Sequence, residues 1–260
     1  MHNRPLMFTI LGAVFAFLYI PISVLVALSF NDGGLPTAWT GISLKWYGAL
    51  LGNADILHAA LNTLIVALVS ATLATLLGTL LAIGIETRAR KGRWLESLIF
   101  APMIIPDIVL AIALLSFFSL LKVPMGLHTI IAAHVVFNLA FVCAVVRARL
   151  KSFDWSIVEA STDLGASPAT TYRRIVIPVL APAIIAGALL AFTLSVDEFI
   201  IAFFTAGAGA SSTTLPMQIY AMIRFGVTPE INALATLVLG LSVTALALAQ
   251  RLNRGGLPGQ

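Results

Sequence analysis

The sequence reads as an all-α integral membrane protein with six transmembrane helices. Of its 260 residues 60% are hydrophobic and only 10% are charged, with a mean hydropathy of +1.02, whereas soluble domains carry roughly 25% charged residues. Six apolar runs are long enough to cross a hydrocarbon core about 30 Å thick, which takes about 20 helical residues. The basic residues are also sorted by side. Arg4, Arg88, Arg90, Lys91, Arg93, Arg147, Arg149, Lys151, Arg173, Arg174, Arg251 and Arg254 flank one side of the runs, and only Lys45, Lys122 and Arg224 flank the other. The positive-inside rule therefore predicts that both termini are cytoplasmic. The net charge of +4 reports topology, and no nucleic-acid partner is expected.

Each run has its own character. Met7 to Phe30 is longer than a signal-peptide core and lacks a small-residue cleavage site, so a retained anchor is expected. Asn31 to His58 follows outside, where Gly33-Gly34, Pro36, Trp39, Trp46 and Tyr47 suit interfacial anchoring or an external partner. The second run, Ala59 to Ile85, contains Asn62-Thr63 near its start, then Thr72, Thr75, Gly78 and Thr79 at spacings that permit close helix contacts. The third, Leu98 to Leu121, contains Pro102 and Pro106 followed at once by Asp107. Proline there frees carbonyls that need other partners, and predicts a kink.

The fourth run, Thr129 to Val146, places His134 and Asn138 on one face, as for hydrogen bonding between helices. Its Cys143 is the only cysteine, which excludes an intrachain disulfide. The four histidines show no paired metal-ligand spacing, so no metal site is expected. The fifth run, Ala183 to Thr205, carries the adjacent carboxylates Asp197 and Glu198. A charge near the bilayer centre costs roughly 2.5–3.5 kcal/mol on insertion scales, so at least one is expected to face the bundle interior. As one helix, this run puts Thr193, Asp197 and Phe204 on a stripe, with Glu198 about 100° away. Leu215 onward reads as a short interfacial helix, and Thr228-Pro229-Glu230 caps the last run, Ile231 to Gln250.

The longest polar interruption on the basic side is Asp154 to Pro182. Asp154 is placed to cap a short helix, and Gly165 to end it in a left-handed conformation. Ser167-Pro168 then reads as the cap and first residue of a second short helix. Such a knuckle is either a docking element or a structured connector. Within it, Glu159-Ala160-Ser161, three residues, Gly165, nine residues and Ile175-Val176-Ile177-Pro178 resemble the EAA loop of binding-protein-dependent ABC importer permeases. The departures are Ser161 for Ala and Ile177 for Leu. From Ser29-Phe30-Asn31 to Thr228–Ala233 the chain looks most like the polyamine (spermidine/putrescine) permease branch.

The resemblance implies a type I importer permease architecture. Residues 1–57 would form the first helix and external segment, 58–250 the core with coupling loop 152–180, and 251–260 a short cytoplasmic tail. It implies a multi-pass protein of the bacterial cytoplasmic (inner) membrane that carries putrescine or spermidine inward by alternating access. The implied partners are a second homologous permease, two cytoplasmic ABC ATPase subunits, an extracytoplasmic substrate-binding protein and the lipid bilayer. Glu159, Ala160, Ser161, Asp163 and Gly165 are the implied ATPase contact.

No lysine follows a glycine as a phosphate-binding G-K-[ST] loop requires. The chain is accordingly not expected to be an enzyme or to hold a cofactor, and ATP with Mg belongs on the partner ATPases. Asp107, Asp197, Glu198, Phe199 and Phe204 are candidates for the substrate pathway, since carboxylates complement ammonium groups and aromatic faces attract cations. Another amine-bearing solute fits as well. An ion-coupled secondary transporter would also use intramembrane carboxylates, whereas an aspartyl protease pairing Asp107 with Asp197 lacks a Gly-x-Gly-Asp setting and leaves the knuckle unexplained.

Overall fold

The computed structural model describes residues 4–34, 38–87, 93–224, 226 and 228–254, and these are helical apart from short connections and one isolated bridge. Pro36, the basic residues Arg88, Arg90 and Lys91, and the tail beyond residue 254 lie outside the described residues. Two compact units divide the chain, residues 1–57 with 219–260, and residues 58–218.

In the first unit, α1 (Arg4–Leu28) packs with α12 (Pro229–Arg254), which also packs with the short α2 (Lys45–Gly52). The span of α1 is entirely unburied, as a helix with apolar residues all round would be when it faces lipid or another chain. The segment between α1 and α2 folds around the fully buried Asn31. Its side chain donates to Ala38 O at 2.8 Å and accepts from Thr40 N at 3.0 Å, while Trp46 Nε1 donates to its carbonyl at 2.8 Å. Tyr47 Oη lies 2.7 Å from Ser29 Oγ. Trp46 and Tyr47 thus direct their polar atoms at the chain's own turn, and Lys45 Nζ pairs with Asp32 at 2.8 Å. That ammonium holds the Asp32 carboxyl below its ordinary range.

The second unit holds α3 (Ala54–Thr87) from His58 onward, α4 (Arg93–Phe100), α5 (Asp107–Leu120), α6 (Leu127–Leu150), α7 (Ser156–Asp163), α8 (Pro168–Thr171), α9 (Ile177–Asp197) and α10 (Ile200–Thr205), with the start of α11 (Leu215–Arg224). Here α6 is the central helix, packing chiefly on α9 and also on α4, α5 and α10. The close approach expected at Gly78 is present, since a Cβ there would lie 2.9 Å from Val142 Cβ. His134 Nδ1 lies 2.7 Å from Ser195 Oγ, which lies 3.0 Å from Ser70 Oγ, so this polar relay joins α6, α9 and α3. Asn138, expected to bond likewise, is fully buried, and its amide has no partner among the described residues.

Among the described residues four helices, 7–28, 54–87, 127–150 and 168–197, are long and apolar enough to cross a membrane. The third expected run is a fifth only as a bent pair. Pro102 and Pro106 do more than kink it: α4 ends at Phe100, a 3₁₀ turn covers Ala101–Met103, and α5 leaves at 113°. Two closely spaced prolines each remove an N–H donor and disfavour helical geometry in the residue before. The last expected run lies on α12, whose Pro229–Leu241 is a shorter apolar stretch.

The fifth expected run needs two corrections. It begins earlier, because the second short helix does not stop: from Ser167 and Pro168 the chain runs helically through a π turn at Tyr172–Val176 to Asp197. Pro178 and Pro182 are absorbed by this helix, Pro178 at its start where α9 takes over from the π turn. It also ends earlier, because Glu198 is extended (φ −72°, ψ 115°) and α10 starts afresh at Ile200. Thr193 and Asp197 therefore still share a face of α9, but Phe204, on α10, no longer continues that stripe.

After α10 the chain turns at Gly207, whose φ is +76° and where a Cβ would lie 2.5 Å from Met125 Cβ. Gly207→Ala should lower stability by about 2–4 kcal/mol, combining a left-handed backbone cost with overpacking. Gly84, helical and with nothing within 4 Å of a Cβ, should tolerate Ala at no cost or gain up to about 1 kcal/mol. Thermal unfolding of both variants in detergent checks this; equal melting temperatures would contradict it.

Candidate functional site

Two regions of the second unit gather the residues singled out from the sequence. In the knuckle, Asp154 Oδ1 accepts from Ser156 N at 3.0 Å, and the Ser156 hydroxyl together with this backbone bond holds its carboxyl below the ordinary range. Trp155 is the residue flanking α7, and Asp154, one position earlier, caps it by taking the N–H of its first residue. Gly165 has φ +80°. Its N–H bonds Thr162 O at 2.9 Å while Ala166 N bonds Ser161 O at 3.1 Å, the paired closing bonds of a left-handed helix stop. Ser167 Oγ accepts from Thr170 N at 3.3 Å and Pro168 takes the first helical position, as the sequence indicated.

This arrangement separates an inner from an outer face. Ser161 is buried and its hydroxyl lies 2.8 Å from Thr171 Oγ1, itself buried, so the serine that replaces an alanine fastens α7 to α8. Glu159, Ala160, Asp163 and Gly165 are exposed on the other side. With them stands Leu164, 88% exposed, which the sequence reading passed over. An apolar residue immediately before the stop glycine was its signal. Inside, Phe153 and Trp155 meet edge to face at 5.1 Å and pack with Val158 against the buried cluster that contains Val146 and Leu150, on which Ile99 and Phe100 of α4 also pack. The knuckle and α4 thus share one apolar cluster with the end of α6.

The second region is made by the two helix interruptions. α5 packs on α10, bringing Asp107, at the first position of α5, close enough to Glu198 for the two carboxylates to interact electrostatically. Glu198 Oε1 accepts from Ile201 N at 2.6 Å. It therefore caps α10, and an anion at that end also meets the positive end of the peptide dipoles. Asp107 enjoys the same dipole at the start of α5. Asp197 is placed otherwise: it is the exposed last residue of α9, where the dipole's negative end disfavours a carboxylate. Phe199 and Phe203 stack obliquely at 5.5 Å, and Phe203 meets Phe204 edge to face at 5.7 Å. Phe204 packs into the apolar cluster of Leu110, Ala111, Phe118, Ala133 and Phe137, whereas Phe203, the third aromatic candidate of this run, is 50% exposed. Among the described residues no three His, Cys, Asp or Glu side chains converge to hold a metal ion.

Comparison with known proteins adds independent findings. Residues 74–255 match the family model described as binding-protein-dependent transport system inner membrane component. The chain is 42% identical over 243 residues to the spermidine/putrescine transport system permease protein PotC of Escherichia coli (strain K12), covering 93% of this chain and 91% of that protein. It is 43% identical over 253 residues to the putrescine transport system permease protein PotI of the same organism, covering 92% and 89%. In structure it is similar to a chain of a bacterial ABC transporter involved in the import of the acidic polysaccharide alginate, with a TM-score of 0.75, 16% identity and 96% of each chain covered.

The unequal settings of the two adjacent carboxylates predict unequal effects on stability. Glu198→Ala, which removes a cap, should cost about 0.5–2 kcal/mol. Asp197→Ala should be neutral or stabilising by about 0.3–1 kcal/mol. Thermal melts of the purified protein read the difference, and the opposite ranking would refute the capping role.

Proposed function

The chain belongs to the family of binding-protein-dependent transport system inner membrane components, and from that premise we propose that it is the permease subunit through which putrescine or spermidine enters the cell. The observation that carries the substrate is the identity above 40%, over nearly the whole chain, to two permeases named for these polyamines. The chain itself is a transport subunit of the inner membrane. ATP and Mg act on two partner ABC ATPase subunits, and a second, similar permease completes the pathway. An extracytoplasmic binding protein, which the family description names, delivers the polyamine.

The exposed face of the knuckle is the ATPase contact in this reading. Leu164 is the apolar knob, flanked by Glu159, Ala160, Asp163 and the left-handed Gly165, while Ser161 works from behind by fixing α7 on α8. Closure of the ATPase dimer then moves the knuckle as a body, and the bundle switches access in a two-state motion. On the pathway, Asp197 is the carboxylate with no hydrogen bond or ion pair among the described residues, and it offers a dication charge where apolar side chains offer none. Asp107 and Glu198 contribute field nearby, with Phe199 and the exposed Phe203 as aromatic faces. Phe204 supports them from the packed side.

Radiolabelled putrescine uptake by the complete complex in proteoliposomes, with ATP inside and binding protein outside, tests the reading. Asp197→Asn should cut uptake per assembled complex about tenfold, the scale of a lost charge interaction worth about 1.4 kcal/mol. Gly165→Asp should leave the permease in the membrane but lose the ATPase, since a side chain at φ +80° strains the backbone that presents Leu164. A wild-type complex that imports no polyamine would sink the proposal. Orientation has its own test. A thiol introduced at Ser152 should resist impermeant reagents in intact cells, whereas one at Gly34 should react, and the reverse pattern would invert the topology.

A further inference from the structure

Three charged side chains from three helices meet where α3 and α6 end and α4 begins. Arg147, in the last turn of α6, bonds Glu86 of α3 through Nε at 3.3 Å and Glu96 of α4 through Nη1. Its guanidinium also lies 6.0 Å from the centre of the Phe100 ring. The arginine side chain is only 16% exposed, against 23% for Glu86 and 37% for Glu96. A planar fork holding two carboxylates on different helices fixes direction as well as distance, which a lysine's point charge does not.

What makes this clamp more than a local fastening is what each helix leads to. Lys151 N bonds Arg147 O at 3.0 Å and Phe153 N bonds Leu150 O at 3.1 Å, so α6 passes by continuous backbone bonding into the knuckle. On the other side, Glu96 and Phe100 lie on α4, which leads through the proline break to Asp107. The apolar cluster around Val146 and Leu150 includes Phe153 and Trp155 of the knuckle together with Ile99 and Phe100 of α4.

We propose that the Glu86–Arg147–Glu96 clamp transmits movement of the knuckle to the interrupted helix pair α4–α5. Arg147 is its positioning residue. The inference rests on the ATP-driven reading of the previous section. Apolar packing lets α4 slide against α6, because its contacts are non-directional. The charged fork forbids that slide: a displacement of α6 must carry α4, and through the break Asp107, along with it. Losing the fork should therefore leave docking and ATP hydrolysis in place while loosening their link to transport.

The measurement is polyamine imported per ATP hydrolysed, in proteoliposomes holding the complete complex and the binding protein. Arg147→Gln and Glu96→Gln should each lower this ratio about three- to tenfold, inside the roughly two- to thirtyfold range over which mutations change couplings between distant sites. The double variant should be no worse than the more severe single one, because either change opens the same clamp. Arg147→Lys, which keeps the charge but not the fork, should recover only part of the ratio. Copurified ATPase should be unchanged throughout. If Arg147→Gln fails to assemble, Glu96→Gln, at the more exposed end, carries the test alone. A wild-type ratio in Glu96→Gln, or effects that multiply in the double variant, overturns the clamp. A wild-type complex that hydrolyses ATP without importing polyamine overturns the transport reading instead.

Discussion

The second unit depends on how closely three helices can approach around Val142. A Cβ at Gly78 of α3 would lie 2.9 Å from Val142 Cβ, and one at Gly187 of α9 would lie 3.3 Å from Val142 Cγ1. In lipid, where apolar side chains gain little by leaving the surrounding hydrocarbon, such close approach is the main source of helix association. Stepping four residues along each helix gives Ala74, Asn138 and Ala191, all fully buried. Another four gives the Ser70, His134 and Ser195 relay. Small residues bring the backbones together, and the relay fixes their register. Larger side chains at Gly78 or Gly187 would separate α6 from the surfaces on which everything else in this unit is hung.

That fixed centre is what allows two helices to be interrupted beside it. Each interruption exposes backbone donors and acceptors that hydrocarbon cannot satisfy, at several kcal/mol apiece. The protein meets this locally. Ile104 N and Ile105 N both bond Ala101 O at 3.0 Å across the proline break, and Glu198 takes the N–H of Ile201. α5 and α10 then pack on each other and on α6, covering the joints with Leu110, Phe118, Phe137 and Ile201. Carboxylates at these joints are thus partly structural.

Local signals were legible in the sequence and distant ones were not. Gly165, Ser167 and Pro168 announce a helix stop and start because each acts on its own backbone, and the structure has all three as read. The paired prolines announced a disturbance, but the 113° turn depends on how α4 seats against α6. The break after Asp197 carried no such mark, since Phe199 to Thr205 continue the apolar run and no proline or glycine intervenes. Only the side chain of Glu198, turned back onto Ile201, ends one helix and begins the next. Likewise Arg147 read as one of many topology-setting charges, because Glu86 and Glu96 reach it from positions 61 and 51 residues away.

The same distinction separates scaffold from selectivity. An importer of an acidic polysaccharide shares this fold at low sequence identity, so the bundle cannot by itself dictate whether cargo is anionic or cationic. Selection on this chain must come from side chains that the scaffold does not need. Glu198 is needed, as a cap, and Asp107 gains from the start of α5, so neither charge requires a substrate to explain it. Asp197 sits at the end of a helix that disfavours it, exposed and beside a packed aromatic group. A charge kept against a local cost needs a compensating interaction elsewhere. In the proposed transport role, an ammonium group passing the interruption between α9 and α10 would supply one, and only while cargo is present, which is the condition for helping passage without trapping the ligand.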